Sequence, residues 1–243
     1  MGFIPWWRRQ SLSNMGKEQN LFLDSGHGFG QTCLYCEIPL VGSNREHAPP
    51  RVMLDKPYPP NTPTVPCCYD CNNGFSIDEQ YFAVLIECWR CGSSEPTKLR
   101  RDVISRTLQR DQALAADISS TLKQGVLLSF NKRIVKVVDK IARSHIYYEL
   151  NRAARDLEVH CFRLSDLSNS KLREFEEPAH QAHWPEIGCR AFNDCVLGIG
   201  WPAWWELQED RYRYMVLEED EVEVRIVFSE FFAAIARTTD WTG

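Results

Sequence analysis

Six of the ten cysteines fall in three C-x-x-C pairs: Cys33/Cys36, Cys68/Cys71 and Cys88/Cys91. A pair at that spacing offers two thiolates to one ion, and two pairs complete a tetrahedral zinc site. Outside secreted disulfide frameworks, repeated C-x-x-C pairs read as metal ligation rather than as cross-links. Geometry decides which pairs share an ion. Sixteen residues separate Cys71 from Cys88, but 77–88 has helical periodicity, and a helix rises roughly 1.5 Å per residue, which places Cys88 about 16 Å from the helix start. Thiolates on one zinc sit about 2.3 Å from it. The 31-residue loop between Cys36 and Cys68 contains no such rod. The expected set is therefore Cys33, Cys36, Cys68 and Cys71, a closed structural Zn²⁺ site with no position left for water.

The loop that this set closes carries "REHAPP", residues 45–50, and the second knuckle runs straight into Asn72-Asn73 and on to Ser76 and Asp78. Taken singly these are ordinary: a histidine near prolines is a loop residue, Asn73-Gly74 a turn or helix C-cap, and a zinc knuckle a binding module. As an ordered set, C-x-x-C, Glu-His with a nearby proline, Asn, then C-x-x-C-Asn-Asn, they resemble the HNH endonuclease family, in its zinc-stapled ββα-metal branch. The resemblance spans residues 31–92. It implies metal-dependent hydrolysis of DNA phosphodiesters leaving 5′-phosphate and 3′-hydroxyl ends; the choice between DNA and RNA stays open. His47 takes the place of the general base, an imidazole that accepts protons near neutral pH. Glu46 and Asn72 take the places of oxygen ligands to Mg²⁺ or Mn²⁺, and Asn61 that of the middle asparagine orienting the base loop. Asn72 stands in place of the family's final histidine, a replacement that many relatives share and that leaves the metal preference open. Adjacent strand residues face opposite ways, so serving one site requires a local distortion at Glu46-His47. Arg45, Arg51 and Lys56 are candidate phosphate contacts. Small free-standing members of the family occur in bacterial defence and mobile-element systems, an analogy only.

Composition bounds the alternatives. A net charge of −5 argues against nonspecific coating of nucleic acid, yet residues 95–145 carry 11 Lys/Arg against 5 Asp/Glu and residues 202–243 carry 4 against 10. The basic stretch, with Arg100 and Arg101, is compatible with a phosphate-facing surface; solvated helix faces are the alternative. No apolar run approaches a membrane span, and "MGFIPWWRRQ" lacks a secretory h-region, so a cytoplasmic protein is expected.

The fold class expected is α+β: an arm over 1–30 with Trp6, Trp7, Arg8 and Arg9, the HNH cassette over 31–92, a helical region over 93–156, and an α+β region over 157–243 that selects a target, protein partner or second copy. Short strands are expected around "TCLYC" and "TVPCC". Ser76 and Glu79 form a capping box opening a helix, 96–124 reads as helical, and Ile134 to Tyr148 shows one apolar face. "RYRYMVLEEDEVEVRIVF" alternates about an acidic turn, as a hairpin does. Cys88/Cys91 read as buried thiols, a second half-site or a redox pair, His145 as a core histidine, and His180/His183 as a weak metal pair. Two rival functions stand beside the nuclease: a non-catalytic zinc module binding nucleic acid or protein with a degenerate HNH site, and a thiol-disulfide protein using Cys88/Cys91.

Overall fold

The computed structural model describes residues 32–40, 44–124, 131–177 and 184–239. The arm over 1–30 and the pair His180/His183 lie outside them. The architecture is α+β, with six α-helices and two antiparallel sheets among the described residues. Strands β1 (Arg45–His47) and β2 (Thr64–Pro66) form a two-stranded ribbon in which His47 faces Thr64 and Glu46 faces Val65. The chain then enters α1 (Tyr69–Cys91), followed by α2 (Asp102–Arg110), α3 (Gln112–Gln124) and α4 (Lys132–Leu150). Strand β3 (Leu157–Arg163) and two short helices, α5 (Asn169–Glu176) and α6 (Arg190–Val196), lead into β4 (Trp205–Gln208), β5 (Tyr212–Glu218), β6 (Val222–Phe228) and β7 (Phe232–Thr238). The five later strands pair in the order β3-β7-β6-β5-β4.

Helix α1 begins seven residues before the expected capping box. Its N-cap is Cys68, whose sulfur accepts from the backbone N–H of Cys71, while Ser76 Oγ donates to the Asn73 carbonyl inside the helix. Asn73-Gly74 is thus early helix, not a turn or a C-cap. The helix stops at Gly92, which has φ 63° and returns its N–H to Cys88 and Trp89, as a left-handed C-cap does. Helix α4 is capped by Asn131, which accepts from the N–H groups of Arg133 and Ile134, and is closed by left-handed Asn151. The stretch 96–124 is a 3₁₀ turn and two helices broken at Asp111, not one helix. "TCLYC" is a tight turn bounded by an isolated Thr32–Pro39 bridge rather than a strand.

One core joins the helices to the large sheet. Phe82 of α1 meets Phe228 and Phe232 edge-on at ring separations of 5.2 and 5.0 Å, and Val137, Val138 and Ile141 of α4 are buried in the same cluster. The expected β5–β6 hairpin forms, but burial on both faces of β5 replaces strict alternation. Helix α5 covers its far side with Phe175 against Trp204. The tryptophans of "WPAWW" are core residues. Among the described residues no helix is long and apolar enough to cross a membrane.

Candidate metal centre and adjoining polar site

The four cysteines expected to share an ion converge. The Sγ atoms of Cys33, Cys36, Cys68 and Cys71 all lie within 4.8 Å of one another, and Cys36 and Cys68 approach to 3.6 Å. Four thiolates at about 2.3 Å from a tetrahedral ion stand about 3.8 Å apart, so the cluster could bind zinc. Backbone N–H groups point at the sulfurs: Tyr35 at Cys33 and Cys71 at Cys68, at 3.5 and 3.3 Å. Burial opposes ionisation of Cys33, but amide donors from Cys68, Cys36 and Tyr35 bring its thiol down to about 6. Burial and the neighbouring sulfurs hold Cys71 up as a thiol. An ion binding here therefore displaces protons. Cys88 and Cys91 lie at the far end of α1, outside the cluster. Burial pushes Cys88 up to about 12, and Cys91 donates to Glu87, so this pair reads as packed thiols.

Glu46 and His47 project to opposite sides of the ribbon, as regular pleating requires, and the local distortion that one shared site needs is not found in β1, whose register is unbroken. Glu46 is buried and ion-paired at 3.1 Å through Oε1 with Lys140 of α4, and its Oε2 has no hydrogen-bond partner. Lys140 also pairs with Glu79 of α1. Burial raises the Glu46 carboxyl above the usual range; Lys140 opposes this and Glu79 adds to it. His47 is half-buried, and burial together with the Arg51 cation lowers its imidazole below the ordinary value, so it is neutral at pH 7. Asn72 lies in the first turn of α1, its N–H donating to the Cys68 carbonyl, and Glu79 follows seven positions later, two turns along one helix face. Asn61 is half-buried in the turn before β2.

The basic residues divide into two kinds. Arg51 and Lys56 are exposed and flank the Tyr58 ring at 5.5 and 5.9 Å. Arg45 is exposed but braced across the ribbon on Thr64. Arg100 is exposed. Arg101, expected at a phosphate-facing surface, instead points inward: its guanidinium donates to Asp55 and to the carbonyls of Val52 and Leu54. Arg211 adds a bond to the Met53 carbonyl, and Gln208 exchanges two with the backbone of Asp55. The loop carrying Arg51, Lys56 and Tyr58 is therefore clamped from behind. His145 is a core histidine, as expected. It is fully buried, stacked on Tyr214 at 3.6 Å and bonded to the Tyr212 hydroxyl, and burial lowers it to about 3.

Sequence reasoning passed over Lys140 and Glu79 as site residues. The signal was present: Lys140 follows Val137 at helical spacing, a lysine on the apolar stripe of α4. No family model, no curated protein and no solved structure matches the chain.

Proposed function

We propose that residues 31–92 are a zinc-stapled HNH-type endonuclease cassette that hydrolyses nucleic-acid phosphodiesters, DNA first among them. The observation that carries this reading is the order of elements around the four-cysteine cluster. A two-stranded ribbon bears Glu46-His47, and the helix leaving the second knuckle bears Asn72 in its first turn. The closed thiolate set suits structural zinc, which folds the cassette without taking part in the reaction.

In this reading His47 accepts a proton from water as the water oxygen bonds to phosphorus. The bond from phosphorus to the 3′-oxygen breaks and that oxygen takes a proton from solvent water, leaving a 3′-hydroxyl and a 5′-phosphate. Burial beside Arg51 keeps the imidazole neutral, the form a general base needs. Arg51 and Lys56, on the clamped loop near His47, hold flanking phosphates. Glu46 Oε2, an acceptor without a partner, and the Asn72 carboxamide are hard oxygen donors that fit Mg²⁺ or Mn²⁺. Such an ion, when bound, supplies charge stabilisation at the phosphate.

Two observations favour the rival module: Glu46 is buried and already holds Lys140, and the unbroken register of β1 turns Glu46 and His47 to opposite sides of the ribbon. Incubating purified protein with supercoiled plasmid under a panel of divalent ions separates the two. Nicking that needs Mg²⁺ or Mn²⁺ and disappears with EDTA supports the nuclease. Tight nucleic-acid binding without cleavage under any ion supports the module.

A further inference from the structure

A charged side chain from well outside residues 31–92 reaches into the candidate site. Lys140 has no exposed side-chain surface. Its ammonium pairs with Glu46 and Glu79, and the rings of Phe75 and Tyr35 stand 5.0 and 6.0 Å away. Neighbouring residues of α4 grip the first knuckle: Arg143 donates to the Leu34 carbonyl, and Ser144 bonds the Tyr35 hydroxyl. Helix α4 thus touches the zinc turn, the Glu46 strand and α1 at once.

Packing alone gives little reason for this cluster. Buried ion pairs are commonly replaced by apolar residues without loss of stability, because desolvation offsets the attraction. Here two carboxylates share one ammonium, and Glu46 Oε2 is left without a partner. That arrangement leaves excess negative charge and a vacant acceptor on the residue that the nuclease reading makes a metal ligand.

We propose that Lys140 is a positioning residue: by holding Oε1 of Glu46 it fixes the carboxylate, so that Oε2 is the oxygen presented to a divalent ion. Glu79 balances the ammonium and keeps it in place. The inference rests on the nuclease reading and deepens it, since the metal site is then completed by a helix beyond the cassette.

Lys140→Met alone leaves two buried carboxylates uncompensated and risks misfolding. The test therefore pairs Lys140→Met with Glu79→Gln, which preserves net charge, in the full-length zinc-loaded protein. Zinc content and thermal midpoint report folding, the free Mn²⁺ signal in electron paramagnetic resonance reports affinity, and single-turnover plasmid nicking reports rate. The double variant is expected to fold with its zinc and to lose about 10–100-fold in Mn²⁺ affinity, the usual cost of removing a residue that orients a metal ligand. Glu79→Gln alone, which keeps the ammonium on Glu46 but loosens it, is expected to lose less Mn²⁺ affinity than the double variant. A folded double variant with wild-type Mn²⁺ affinity and rate overturns the proposal and leaves the nuclease reading standing. A wild-type protein that neither binds Mn²⁺ nor nicks DNA overturns the nuclease reading, and the proposal with it.

Discussion

Arg101→Ala asks whether the basic stretch ahead of α2 meets nucleic acid or holds the loop beside His47. The guanidinium makes bonds of 2.7 Å to Asp55, 2.7 Å to the Leu54 carbonyl and 3.2 Å to the Val52 carbonyl, with a tenth of its side chain exposed. Asp55 is half exposed, so that pair contributes less than about 1 kcal/mol. Each carbonyl bond from a charged donor is worth about 1.5 kcal/mol or more. The expected loss is about 2–4 kcal/mol, which at a urea slope of about 2 kcal/mol/M moves the unfolding midpoint down by 1–2 M. A phosphate contact behaves differently: losing one lowers the slope of log affinity against log salt by about 0.9. Arg101→Ala should leave that slope unchanged, whereas charge reversal at exposed Arg100 and Arg106 should reduce it if this segment faces nucleic acid. An Arg101→Ala protein with an unaltered urea midpoint and a reduced salt slope would refute the reasoning.

Elemental analysis should find one zinc per chain. Cys68→Ser should lose it and melt on the order of 10 °C lower, since a structural site contributes folding energy and 1 kcal/mol moves the midpoint by 2–4 °C at this size; zinc-free folded wild type would refute a structural zinc. His47→Ala should cut plasmid nicking by about 10²–10⁴-fold with zinc and fold intact. Glu46→Ala and Asn72→Ala should be partly restored by excess Mn²⁺. Because the His47 imidazole titrates below its ordinary value and acts when neutral, wild-type nicking should rise with pH and level off earlier than an ordinary histidine would allow. Burial raises the Asp139 carboxyl to about 6, with Asp156 adding to it and Arg143 opposing. A raised carboxyl contributes stability below its unfolded value and loses it as pH climbs through the folded one. Asp139→Asn should therefore stabilise the protein above pH 6 by up to about 3 kcal/mol and do little at pH 4, as read from denaturation midpoints across that range.

The cysteine set was legible because metal geometry is short-range and unforgiving, and a rod between Cys71 and Cys88 rules out the nearer pairing. Helix α4 and the β5–β6 hairpin were legible from periodicity. The start of α1 was not, because its cap is a cysteine sulfur rather than the usual Ser, Thr, Asp or Asn. A Ser76–Glu79 pattern inside the helix imitates a beginning. The inward turn of Arg101 was hidden as well: its partners lie 46 to 49 residues away, and nothing local distinguishes an arginine that braces a loop from one that faces solvent. Lys140 stood in plain view on an apolar stripe, but its partners come from β1 and α1, which only the tertiary fold brings together.

Helix α1 changes character along its length. Its first two turns stand beside the cysteine cluster with much of their surface in water, while residues 81–88 are buried without interruption. A helix sheathed on every side cannot end a free-standing module. Cut out after residue 92, the segment would present Phe82, Leu85 and Ile86 to solvent, an adhesive rod in place of a self-contained module. Anyone grafting these 62 residues onto another scaffold inherits that obligation: the recipient must supply a sheet like this one, or the inner half of α1 must be rewritten in polar residues.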